Sequence, residues 1–238
     1  MSRLLLFDID GTLVDTDGAG REALRRALRA VFGETGPIDD FDFHGRTDPA
    51  IVRGLMRETG RGEEEIESRL DRLWASYLRA LAEELEGRRR RGRVSAYPGV
   101  TRLLASTAED RRFTLALVTG NVAAGAWNKL EAADLAHFFG FGAFGSDSGR
   151  REDLPPLALR RAERQMGREF APGDAVVIGD TPADVHCARA SGIRAVSVAT
   201  GRHRREELAG HDPDHVFSDL SDTDAVLDAL APDGAADS

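Results

Sequence analysis

An α/β fold, with a doubly wound parallel sheet and an all-helical insertion, is predicted by three features of the sequence. From Tyr97-Pro98-Gly99 onward, short apolar runs of strand length alternate with helical patterns, the texture of successive βαβ units. At the start, Arg3-Leu4-Leu5-Leu6-Phe7-Asp8 is an apolar run that ends in acids and then Gly11, as a buried parallel strand opening into a loop would. Between the two, residues from about 15 to 95 carry helical spacing and no strand candidate of any strength. The expected organisation is therefore a core from residues 1–15 and 96–230, a helical domain of residues 16–95 inserted into it, and a frayed tail at 231–238.

Each element follows from its local pattern. Residues 22–32 set Ala23, Leu24, Ala27, Leu28 and Val31 on one helical face. Residues 33–45 are rich in Gly, Pro and Asp and read as loop. Asp48-Pro49 reads as a helix start, with Asp48 as N-cap and the proline at the first position. Ile51, Val52, Leu55 and Met56 give that helix its apolar face. Residues 63–86 form the longest helical pattern, carried by Ile66, Leu70, Leu73, Trp74, Tyr77, Leu78, Leu81 and Leu85, and the arginines at 88–91 end it as a solvated turn. Trp74 and Tyr77 read as the insertion's own core.

Beyond the insertion, 112–119 is a strand, 122–133 a helix, 142–145 a short strand, and 155–166 a helix opened by prolines. Ala175–Gly179 is a strand ending at Asp180, followed by a helix to Ser191. Strands at 193–199 and His215–Phe217 precede a last helix, Thr223–Leu230. There is no internal repeat.

Composition bounds the functional classes. The 238 residues are 41% hydrophobic and 31% charged, which fits a soluble globular chain and not a disordered one. No apolar run approaches bilayer length, and the run at 4–7 meets Asp8 and Asp10 too soon for a signal peptide. A cytoplasmic chain without a membrane partner is expected. One cysteine, Cys187, excludes an internal disulfide framework or a multi-cysteine metal site. A formal charge of −9 argues against nucleic acid as the main partner. Of the 32 basic residues only Lys129 is a lysine, so any mechanism needing one has a single candidate.

Ligands of open α/β sheets bind beyond the carboxyl ends of the strands, and three such ends carry chemistry. They are Asp8-Ile9-Asp10-Gly11-Thr12, Val118-Thr119-Gly120-Asn121 and Gly179-Asp180-Thr181-Pro182-Ala183-Asp184. Gly11 lets the chain turn, so that Asp8 and Asp10 address one small object from two sides. Two carboxylates plus Asp180 repel one another without a cation, and a hard divalent ion with oxygen ligands, Mg²⁺, is the physical remedy. A neutralised aspartate can then attack a phosphoryl group.

On these motifs the chain resembles the haloacid dehalogenase superfamily, specifically its phosphatases with a Rossmann-like core and an inserted helical cap. The first motif stands as Asp8-Ile9-Asp10-Gly11-Thr12, the second in Val118-Thr119-Gly120-Asn121, and the fourth as Gly179-Asp180-Thr181-Pro182-Ala183-Asp184. The resemblance implies Asp8 as nucleophile and Asp10 as the acid that protonates the leaving oxygen and then activates water. It implies Mg²⁺ between the Asp8 carboxylate, the Asp10 carbonyl and the Asp180 carboxylate, with Asp184 holding a metal-bound water. Thr119 and backbone groups around Gly11, Thr12, Gly120 and Asn121 would bind the phosphoryl oxygens. Thr119 also has a plainer reading as a helix cap near Asn121.

The third motif, a basic residue before the helix that precedes the fourth, is where the match weakens. No lysine stands in Ser148-Gly149-Arg150-Arg151-Glu152-Asp153-Leu154-Pro155-Pro156, so a guanidinium must serve. Register against Pro155 favours Arg151 over Arg150. Lys129 is a rival, although its place within the helix at 122–133 favours a surface or packing role. In the cap, Arg46 beside Gly45 is either a fork aimed at an anionic leaving group or an exposed loop arginine.

The lysine count also sorts the family's activities. Phosphonoacetaldehyde hydrolases need a cap lysine, and residues 1–128 contain none. Dehalogenases lack the second aspartate of the first motif, present here as Asp10. Sugar-phosphate mutases of the β-phosphoglucomutase type carry a histidine shortly after the first motif, where this chain has Asp17-Gly18-Ala19-Gly20. A non-enzymatic phospho-acceptor domain of the receiver type needs about half this length. The expectation is a Mg²⁺-dependent hydrolase of a small phosphorylated metabolite, with 2-phosphoglycolate foremost, acting as a monomer or homodimer.

Overall fold

The computed structural model describes residues 2–231, and the tail expected after Ala231 lies outside them. Six parallel strands form the main sheet in the order β5-β4-β1-β6-β7-β8. They are β1 (Arg3–Phe7), β4 (Phe113–Thr119), β5 (Gly142–Phe144), β6 (Ala175–Gly179), β7 (Arg194–Val198) and β8 (His215–Phe217). β1 lies between β4 and β6, with Phe7 paired in register to both Leu117 and Ile178. The three loaded strand ends are therefore adjacent.

The strands alternate their side chains between two buried faces, as a pleat requires. Leu5, Phe7, Leu115, Leu117, Val176 and Ile178 join one cluster with residues of α5 (Val100–Glu109), α6 (Ala123–Ala132) and α10 (Thr223–Leu230). Leu4, Leu6, Ala116, Val118, Ala175 and Val177 join the other with α7 (Leu154–Met166) and α8 (Pro182–Ala190). The remaining short helix of this part, α9 (Arg205–Ala209), leads into β8.

The insertion contains α1 (Ala19–Phe32), α2 (Asp48–Glu58), α3 (Glu63–Glu67) and α4 (Leu70–Arg89). Its apolar stripes form a third cluster that includes one outside residue, Val122. Three local expectations are corrected. The helix expected across 63–86 is two, because the Ser68 hydroxyl bonds the Glu65 carbonyl and ends the first at that turn. The insertion is also not strand-free at its edges: β2 (Val14–Asp15) pairs antiparallel with β3 (Ser95–Ala96) where the chain leaves and rejoins the core. Two residues a side leave no periodicity to detect. Finally, Thr47 and not Asp48 caps α2, its hydroxyl accepting from the Ala50 N–H at 3.3 Å.

Candidate active site

Asp8 directly follows β1, and its N–H continues the ladder to the Ile178 carbonyl at 2.9 Å, which fixes its height above the sheet. The turn that follows depends on Gly11. Its φ is +80°, and a Cβ there would lie 2.3 Å from an Asp180 carboxylate oxygen, so the loop approaches the β6 end only without a side chain. Thr12, expected among the phosphate-binding groups, is fully buried and turns its hydroxyl to Asp180 Oδ1 at 3.2 Å. The Thr200 hydroxyl after β7 donates to the Gly11 carbonyl at 2.5 Å, a brace with no motif to announce it.

Arg151 meets two of the acids. Its Nη2 donates to Asp8 Oδ2 at 2.9 Å and to Asp184 Oδ1 at 2.5 Å, with all three side chains buried. The guanidinium of Arg150, its neighbour, is exposed and lies 3.9 Å from Glu152. Asp184 lies in the first turn of α8, where its other oxygen accepts from the Thr181 N–H and hydroxyl at 3.1 and 2.7 Å. It is a buried strut and not a surface acid.

Oxygens of Asp8, Asp180 and Asp184 lie within 4.8 Å of one another. Burial pushes the Asp8 carboxyl up to about 6, opposed by Arg151 and reinforced by Asp184 and Asp10. Burial, with Asp184 and Asp8 as further causes, pushes Asp180 well above the ordinary carboxylate range. One guanidinium faces three carboxylates, so a divalent cation would bring the cluster to neutrality. The all-oxygen donor set suits a hard ion of this kind.

Asp10 faces the same space from the other side. Asn121 Nδ2 donates to its Oδ2 at 2.8 Å and to Thr119 Oγ1 at 2.8 Å. Lys129 Nζ lies 2.6 Å from Asp10 Oδ2 and 2.6 Å from Asn121 Oδ1. The surface or packing role expected for Lys129 is therefore corrected: it is 4% exposed and ion-paired to a motif acid. A signal for it existed, since Lys129 shares the buried stripe of α6 with Gly125, Ala126 and Leu130, where an unpaired ammonium is not tolerated.

The insertion closes over these groups through the segment before α2. The Asp48 N–H donates to the Gly120 carbonyl at 2.7 Å, and its Oδ2 accepts from the Val122 N–H at 2.8 Å. The Thr47 hydroxyl donates to the Gly149 carbonyl at 2.9 Å. A Cβ on Gly120 would sit 2.1 Å from the Arg46 carbonyl, so this approach requires the glycine. Asp48 thus joins the site as an acid at the start of α6, where the helix dipole favours it. Burial raises its carboxyl to about 6, against Lys129 and the Val122 N–H, which favour the charge.

A cavity of about 280 Å³ lies beneath, lined among others by Asp8, Asp10, Thr119, Asn121, Arg151 and Asp180. Gly11, Gly120, Arg46, Asp48, Tyr77 and Lys129 also line it, whereas Thr12 and Asp184 stand behind the wall. Arg46 is exposed at the rim, its guanidinium 5.4 Å from the centre of the Phe41 ring. Tyr77 was expected to belong only to the insertion's core; it does pack there, yet it also reaches the cavity.

A parallel α/β sheet whose first strand ends in a buried aspartate, with a second acid two residues on and a basic partner, has the arrangement of a hydrolase site at the carboxyl ends of the strands. The chain belongs to the haloacid dehalogenase-like hydrolases, whose family model matches residues 5–198. It is 27% identical over 242 residues to phosphoglycolate phosphatase 1 of Pseudomonas aeruginosa, covering 98% of this chain and 84% of that protein. It is 30% identical over 216 residues to a phosphoglycolate phosphatase of Mesorhizobium japonicum, covering 87% and 88%. A crystal structure of a hydrolase from Pseudomonas syringae superposes with a TM-score of 0.71 at 23% identity, over 98% of this chain and 100% of that one. The protein is an enzyme of the phosphatase type within this family. No helix among the described residues is long and apolar enough to cross a membrane.

Proposed function

We propose that the protein is a Mg²⁺-dependent phosphomonoester hydrolase that works through an aspartyl-phosphate at Asp8, with 2-phosphoglycolate as its leading substrate. The observation that carries this reading is the placement of Asp8, buried against Arg151 on one side and open to the cavity on the other, with Asp10 facing it. An Asp8 oxygen attacks phosphorus as the ester oxygen leaves with its electron pair and takes a proton from Asp10. Water then attacks the phosphorus and gives its proton to Asp10, the bond from Asp8 to phosphorus breaks, and inorganic phosphate departs.

Arg151 holds Asp8 in its attacking pose and offsets charge on the phosphoryl oxygens. Thr119 and the backbone around Gly11, Gly120 and Asn121 bind those oxygens. Asp8, Asp180 and the Asp10 carbonyl would hold Mg²⁺, which would supply charge neutralisation, and Asp184, both of whose oxygens are already engaged, would support the site from behind. Residues 16–95 act as the cap that excludes water over a small leaving group, and Arg46 at the rim meets the leaving group's carboxylate.

Turnover of a panel of small phosphomonoesters with Mg²⁺ tests the reading. Hydrolysis of 2-phosphoglycolate among the best substrates is expected. If the enzyme hydrolyses other esters and ignores this one, the substrate assignment falls and the hydrolase assignment stands.

A further inference from the structure

Lys129 has no part in the chemistry just described, yet it is the chain's single lysine and is buried at the centre of the site. Its surroundings are built for it. Gly20 on α1 lies opposite, and a Cβ there would come within 3.3 Å of Nζ and 3.8 Å of the Tyr77 hydroxyl. Gly125 on α6 lets Tyr77 of α4 pack close beside the lysine's own helix, its would-be Cβ 3.3 Å from the ring. The ammonium thus occupies a pocket left by absent side chains, and it bridges Asp10 Oδ2 and Asn121 Oδ1.

The consequence concerns which oxygen of Asp10 is available. Oδ2 receives both Asn121 Nδ2 and Lys129 Nζ, at 2.8 and 2.6 Å. The Asp10 side chain is 45% exposed, while that of Lys129 is 5% exposed, so the lysine grips the acid from behind and the acid looks into the cavity. We infer that Lys129 is a positioning residue for the protonation step, clamping Asp10 Oδ2 with Asn121 so that Oδ1 faces the leaving oxygen. As the proton passes from Oδ1 to that oxygen, negative charge returns to the Asp10 carboxylate beside the ammonium. The contact therefore strengthens toward the transition state. Arg151 serves phosphoryl transfer, and Lys129 serves the leaving group. The inference rests on Asp10 acting as the acid.

The test is the dependence of the first chemical step on the leaving group. Alcohol release in a single turnover is measured for 2-phosphoglycolate, whose alkoxide needs a proton, and for 4-nitrophenyl phosphate, whose phenolate does not. Lys129→Met should slow release from the alkyl ester about 10- to 100-fold, a fraction of what general acid catalysis supplies, and change the aryl ester by less than about 3-fold. Gly20→Ala, whose Cβ would crowd the ammonium at 3.3 Å without removing it, should show the same asymmetry more weakly and serves if Lys129→Met does not fold. Equal losses on both esters, or no loss on either, would overturn the inference. Asp10→Asn is the control: if it shows no such asymmetry, the acid role of Asp10 has failed and not the clamp. If 2-phosphoglycolate is not a substrate, any alkyl phosphate the enzyme turns over replaces it.

Discussion

At the scale of the residue, Arg151 decides the charge balance of the strand-end acids. It is buried against Asp8 and Asp184; burial works against its charge, and the two carboxylates outweigh that cost. Arg151→Ala should lower kcat by about 100-fold or more, because it removes the only guanidinium paired with Asp8 among the described residues. Asp8→Asn should abolish turnover while the circular dichroism of the folded protein is kept, since an amide cannot be phosphorylated; more than a few per cent of residual activity would sink the nucleophile assignment. At the rim, Arg46→Ala should raise KM for 2-phosphoglycolate about 10- to 100-fold, one charge-assisted contact. It should leave phenyl phosphate, which has no carboxylate, almost unchanged. Equal losses on both would show that Arg46 serves closure of the segment and not recognition.

At the scale of the element, the segment leading into α2 and the start of α6 form one joint. Asp48 is the tie between them, and its burial has a measurable sign. Its carboxyl is raised from 3.8 to about 6 in the folded protein, so between those values the folded state binds more protons than the unfolded one. Its contribution to stability is present at low pH and is lost as pH rises through 6. Asp48→Asn keeps an acceptor for the Val122 N–H and removes the charge. In thermal denaturation it should raise Tm by about 2–4 °C at pH 8 and give no gain at pH 4; a lower Tm at pH 8 would mean that the attraction to Lys129 outweighs burial. The same joint shows where sequence reasoning stops. Helical spacing found α1, α2, α4, α6 and α7 because their stripes are long. It took Asp48 for an N-cap because Asp-Pro is a common helix start, whereas the partner of Asp48 is an N–H 74 residues away. It missed the break at Ser68, which turns on one hydroxyl.

At the scale of the whole molecule, the site is where three adjacent parallel strands end and a helical insertion descends on them. The order of the motifs made the parallel core and its loaded ends legible, because Asp8, Thr119 and Asp180 each follow an unmistakable apolar run. The reach of Lys129 to Asp10, across 119 residues, was not legible, since only the packing of α1, α4 and α6 makes room for the ammonium. The proposed cation site belongs to this scale, because the acids clustered there come from the ends of β1 and β6 and from α8 together. Activity should be lost in excess chelator and restored by Mg²⁺. Ca²⁺ should suppress it, since its larger and looser coordination misplaces Asp8, and full activity in chelator would contradict the neutralisation argument. A phosphoryl group on Asp8 is best trapped in Asp10→Asn, treated with 4-nitrophenyl phosphate and Mg²⁺. That variant retains a first step needing no proton and loses the activation of water, so a burst of one nitrophenolate per protein molecule is predicted, with mass mapping placing the phosphoryl group on Asp8. A label on any other residue, or no burst from a variant whose wild-type parent turns the ester over, would contradict the account.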